Sequence, residues 1–148
     1  MPTKKERVAP LPQVAQIDWF LQSLVAMANE SNLEIGITLQ VSGMLVSGSL
    51  VSGEKYFEGF AEDFSSPFFA DPEAAASIKT SFSSYGELYK RDSEPDGVRL
   101  PPQYVHLKNA RFFNTTGNTI PGNKGMWWRG RISEVGGFSL GSLSAESV

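Results

Sequence analysis

The sequence predicts an α+β protein: a small, strongly bent β-barrel of about five strands, with an N-terminal helix and a helical insertion between strands 2 and 3. Three observations carry this. Leu33, Ile35, Ile37, Leu39 and Val41 alternate strictly with Glu34, Gly36, Thr38 and Gln40, the pattern of a strand buried on one face. Ser-Gly recurs at 42–43, 47–48 and 52–53, which places a tight turn at Gly43 and a mid-strand bend at Gly48. Strand-like segments return only after residue 100, and between the two groups the apolar period is helical.

In chain order, residues 1–12 carry Pro2, Pro10 and Pro12 with Lys4, Lys5 and Arg7, and read as a flexible arm. From 13 to 143 the pattern is that of a single domain. Val14, Ile17, Phe20, Leu21, Leu24, Val25 and Ala28 recur at helical spacing over Gln13 to Asn29. Leu33–Val41 and Met44–Val51 then form a hairpin whose register the turn pins, with Gly53 as the next turn or bend. The insertion occupies about 54–90. Tyr56, Phe57, Phe60 and Phe64 follow a 3–4 spacing opposite Glu58, Glu62 and Asp63, and Gly59 costs that helix about 1 kcal/mol. Asp71-Pro72-Glu73 offers an N-cap, a proline at N1 and an acidic first turn for a helix reaching about Tyr89. RDSEPDGVRLPP reads as a loop. Strands follow at Gln103–Phe113, Met126–Ser133 and Val135–Leu143, separated by the turn-rich 114–125, and 144–148 is a tail.

Composition bounds the chemistry. With 41% hydrophobic and 11% aromatic residues the chain is of the soluble globular kind. No run approaches the roughly 18 apolar residues of a membrane span, the N-terminus lacks the apolar core of a secretory signal, and cytoplasmic localisation is the expectation. There is no cysteine and one histidine, which removes disulfides, thiolate chemistry and any two-histidine metal site within one chain. The net charge of −3 hides a segregation: Glu54–Asp96 holds ten acidic and four basic residues, and Gly97–Ser133 six basic and no acidic ones. The two blocks either face each other within one molecule or meet a partner, including a second copy.

Two resemblances attach to particular residues. Gly43-x-x-x-x-Gly48-x-Leu50 resembles the first signature of Sm-like barrels, and Arg129-Gly130 the Arg-Gly of the second. LEIGITLQVSGMLVSGSLVSGEKYFEGF, YVHLKNARFF and WWRGRISEVGGFSLG together resemble the gas vesicle accessory protein U family, over most of 33–141. That resemblance implies a non-enzymatic cytoplasmic protein, encoded beside the genes of gas-filled protein shells, that meets the shell or other gas vesicle proteins. It brings no catalytic residues.

The residues themselves offer no catalytic kit. His106 lies on the polar parity of its strand beside Lys108, and reads as solvent-facing or hydrogen-bonded rather than as a base. No G-x-S-x-G, G-x-G-x-x-G or Walker pattern occurs, and Glu62-Asp63 reads as a solvated helix face. The expectation is therefore no enzyme, no cofactor and no metal. Trp127-Trp128-Arg129-Gly130-Arg131 is the sharpest local feature. In a strand its tryptophans point to opposite faces: Trp128 shares the parity of Ile132 and can enter the core, and Trp127 shares a face with Arg129 and Arg131. Trp127, Trp128, Arg129 and Arg131, with Arg111, are the candidate interaction residues. Aromatic plus arginine suits a protein hot spot or a stacking platform for single-stranded RNA. The net acidity and the acidic insertion disfavour nucleic acid. The reading reached is a gas vesicle accessory protein acting by shell binding, self-association or both, in vesicle assembly, stability or clustering. A homo-oligomer is expected, because small barrels leave strand edges that pair between subunits. The alternative is an Sm-like RNA-binding module using the Trp-Arg strand.

Overall fold

The computed structural model describes residues 16–90, 100–116, 118, 120 and 124–143. The expected arm 1–12, the tail 144–148 and most of the loop expected at 91–102 lie outside the described residues.

Asp18 opens α1 (Trp19–Ser31) by accepting a hydrogen bond from the Phe20 amide at 2.9 Å, and Asn32 closes it in the left-handed region at φ 54°. The helix thus begins later than the apolar spacing implies, because Asp18 caps it. The hairpin follows as β1 (Ile35–Val41) and β2 (Met44–Val51), in register from Ile35 opposite Leu50 to Val41 opposite Met44. Its turn puts Ser42 and Gly43 at φ 51° and 78°, the double positive φ that a two-residue turn needs to match strand twist. Gly48 marks a break in the β2–β3 register, where a Cβ would stand 2.7 Å from the Lys108 carbonyl oxygen.

Gly53 is not a turn. It is the first residue of α2 (Gly53–Ser65), whose start Ser52 caps by accepting from the Lys55 amide at 3.0 Å. A short 3₁₀ turn at Ser66–Phe68 leads to α3 (Pro72–Ser83), capped by Asp71, and a second 3₁₀ turn covers Ser84–Tyr89. The remaining strands are β3 (Tyr104–Phe113), β4 (Met126–Arg131) and β5 (Val135–Leu140), with a 3₁₀ turn at Ile132–Glu134 between the last two.

All pairings are antiparallel, in the order β4-β3-β2-β1-β5. Strands β4 and β5 are therefore the two edges, although three residues join them. That connection spans at most about 14 Å, whereas the edges of a flat five-strand sheet stand about 19 Å apart. The sheet must curl, and register breaks in β1, β2 and β3 supply the bends. It does not close: no ladder joins β4 to β5, so the expected barrel is corrected to an open, bent sheet. Closure is not needed to bury the inner face. Leu21, Val25 and Ala28 of α1 fill it together with Ile37, Leu39, Val46, Leu50, Val105, Leu107, Ala110 and Ile132. The opposite face is covered along β3 and β4 by α2, and that cover decides where the site lies.

Candidate functional site

Alternation along β4 sorts the Trp-Arg segment into two environments. Trp128 packs against the core cluster, and a Cβ at Gly130 would collide with its ring. Trp127, Arg129 and Arg131 share the other face. There α2 passes so close over Trp127 that a Cβ at Gly59 would lie within the indole. Tyr56 of α2 completes the contact edge-on at 6.3 Å between ring centroids. The helix-interior glycine is the seat of a tryptophan.

Arg129 lies opposite His106 in the β3–β4 register. Its Nη1 donates to His106 Nε2 at 3.1 Å and to the Tyr89 hydroxyl at 3.4 Å, and its guanidinium stacks 3.6 Å from the Tyr104 ring centroid. Phe57 lies 5.6 Å away on the α2 side. No carboxylate forms an ion pair with Arg129 among the described residues. Stacking on aromatic faces and donation to neutral acceptors hold the cation in place of a counter-ion.

His106 is not solvent-facing, as its parity beside Lys108 allowed. It is wholly buried among Tyr56, Phe57 and Tyr89, because α2 covers a sheet face that the alternation alone leaves open. Burial first, and the Arg129 charge second, push its pKa down to about 3. The imidazole is then neutral, and because Nε2 accepts from Arg129 the ring proton resides on Nδ1. That nitrogen is buried without a hydrogen-bond partner among the described residues. With its one basic lone pair engaged, His106 is poorly placed to take a proton from a substrate. Burial also raises the pKa of Tyr56 and Tyr89, against a smaller opposing effect of Arg129.

Of the candidate interaction residues, the fold thus gathers Trp127 and Arg129 under the helical insertion and sends Trp128 to the core. Arg131 is exposed, and Arg111, opposite Ser47 on β3, is half-exposed. Neither makes an ion pair among the described residues. No local pattern marks Tyr89, Tyr104 and Phe57 as Arg129's neighbours; Gly59 inside an aromatic helix is the one local sign of a ring packed against it. No cluster of three metal-ligating side chains occurs among the described residues, and no helix among them is long and apolar enough to cross a membrane.

The opposite edge carries a different surface. Trp19 and Leu140 are 73% and 70% exposed, and Phe20 packs on Phe138 of β5 at 5.7 Å. An apolar strip therefore runs beside β5, which is an edge strand of the sheet among the described residues.

A curled antiparallel sheet with an N-terminal helix on one face and two helices inserted between β2 and β3 defines an α+β protein. Within that class the chain belongs to the gas vesicle protein GvpU-like family, whose model matches residues 18–143. Neither a curated protein nor a solved structure matches it.

Proposed function

We propose that this chain is a non-enzymatic, cytoplasmic accessory protein of gas vesicles that acts by surface contact, binding the shell and associating with further copies of itself. Family membership supplies the setting. The observation that carries the mechanism is the pairing of charges. Ion pairs of the acidic stretch 54–96 run within it, Lys79 with Glu62 and Lys90 with Glu54 and Glu87, or out to Glu34 from Lys55. From the basic stretch 97–133, Lys108 alone is paired among the described residues, again with Glu34. No ion pair joins the two stretches among the described residues, and in this reading their opposite charges meet other molecules. Arg131 and Arg111 are the basic contacts in this reading, and Trp127, Trp128 and Arg129 fix the strand that presents Arg131. The strip at Trp19, Phe20 and Leu140, beside the open β5 edge, offers the apolar contact that a protein shell can take up.

The RNA alternative needs free aromatic faces beside its arginines. Trp127 is seated on Gly59, Trp128 packs on the core, and the Arg129 guanidinium is stacked on Tyr104, which leaves little of the platform to a base.

Removing the gene from a vesicle-forming host tests the proposal. Vesicle number, collapse pressure or spacing in electron micrographs changes on removal and returns on complementation. Three unchanged readouts in a host that makes normal amounts of the protein would contradict it.

A further inference from the structure

Arg129 also forms part of the wall of a pocket of about 580 Å³ between α1, the 3₁₀ turn ending at Tyr89 and the segment entering β3. Leu88, Tyr89, Leu100, Pro101, Pro102 and Tyr104 make it largely apolar, and its size falls within the range of small-molecule sites. Its polar groups are few. Only Nη1 of Arg129 is engaged by protein acceptors among the described residues, so the other guanidinium donors remain for a ligand. The Tyr89 hydroxyl accepts from Arg129 and keeps its own proton to donate. Asn29 spends its carbonyl oxygen on the Gly53 amide at 2.9 Å, which leaves its amide group as a further donor. Among the described residues this half-buried guanidinium has neutral partners and no counter-ion, at the wall of an apolar cleft.

We infer that this pocket binds a small monocarboxylate with an apolar body, the carboxylate on Arg129 and the hydrocarbon against Leu100, Pro102 and Leu88. One cation matches one negative charge. Exposed Glu30, also on the lining, repels a dianion such as a phosphate ester. The guanidinium fork suits a planar carboxylate held by two parallel hydrogen bonds. This inference stands apart from vesicle contact, since the pocket is walled by α1, the turn ending at Tyr89 and residues 100–104, not by the β5 strip.

Isothermal titration of the full chain with octanoate tests it, with 1-octanol and inorganic phosphate as controls. Saturable binding of octanoate at one site is expected, at least tenfold tighter than octanol, with none for phosphate. Arg129→Gln should weaken octanoate at least tenfold and leave octanol unchanged. Arg129→Lys, which keeps the charge without the fork, should fall between. Because Arg129 is packed on Tyr104, Leu100→Asp at the exposed mouth serves as the variant that leaves the fold alone, and it should also abolish octanoate binding. A short peptide ending in a free leucine carboxylate, beside its amidated form, separates the sources. If the free form alone binds, and more tightly than octanoate, the carboxylate is that of a polypeptide end; otherwise it belongs to a small molecule. Equal affinity for octanoate and octanol, undiminished binding by folded Arg129→Gln, or no saturable binding would overturn the inference.

Discussion

Gly59 is a poor residue for the middle of a helix, and Trp127 explains its presence. Gly59→Ala gains about 1 kcal/mol of helix propensity but drives a Cβ into the indole, and overpacking of this kind costs about 1–3 kcal/mol. The variant should therefore be less stable than the parent in urea. In a Trp127→Leu background the same change should stabilise, so a double-mutant cycle reads the contact directly. A stabilised single variant would show that the ring yields at no cost. His106 makes a second prediction. Its folded pKa, about 3, lies below the unfolded 6.5, so the unfolded chain takes up the proton first. Stability is full above pH 6.5 and falls as the pH drops toward 3, with a slope approaching about 1.4 kcal/mol per pH unit from this one group. The groups facing it are the Arg129 cation and the phenols of Tyr56 and Tyr89, and burial raises both phenols further above that window. His106→Gln should flatten this part of the profile, and an imidazole that titrates near 6.5 by NMR would refute the burial argument.

At the scale of elements, the β1–β2 hairpin is legible in the sequence because everything that specifies it is local: strict alternation, then Ser42-Gly43 with φ positive at both residues. Gly43→Val should cost about 1–2 kcal/mol by forcing a β-branched side chain to that φ; an unchanged midpoint would mean the turn refolds around it. Gly48 is legible for the same reason, and the register break against β3 lies where its mid-strand position puts it. The helix started by Asp71-Pro72 is legible from its cap, but its continuation as 3₁₀ from Ser84 to Tyr89 is not. That turn fits Gly86 so close to α2 that a Cβ there would stand 3.1 Å from the Glu54 Cα, a tertiary approach with no local trace. Gly53 misleads because Ser-Gly repeats three times and only the first is a turn; at the third, Ser52 caps a helix. The Arg129–His106 pair is the least legible part of the site. The residues are 23 apart, and their meeting depends on the β3–β4 register and on α2 covering a face that alternation marks as polar.

For the whole molecule, sequence order and spatial order diverge: consecutive strands β4 and β5 end on opposite edges, and a three-residue connection forces the curl. The pattern of strands suggested a closed barrel, but the core is filled with the help of α1 and closure supplies nothing further. Two edge strands, an apolar strip and unlike charge stretches that do not meet among the described residues are the features on which the proposed association with copies or with a shell rests. Self-association driven by the charges should weaken between about 50 and 500 mM salt, as the screening length falls from more than about 10 Å to a few Å. Sedimentation at the two salts checks this, and a salt-insensitive oligomer would leave edge pairing and apolar contact as its cause. Flotation tests the central claim most directly. The purified chain is mixed with purified gas vesicles, spun gently, and assayed in the buoyant layer, beside a variant carrying Trp19→Ser and Leu140→Ser. The account predicts wild-type protein risen with the vesicles and the variant largely left below. Wild-type protein left entirely in the subnatant, or a variant that floats equally well, would contradict contact between this surface and the shell.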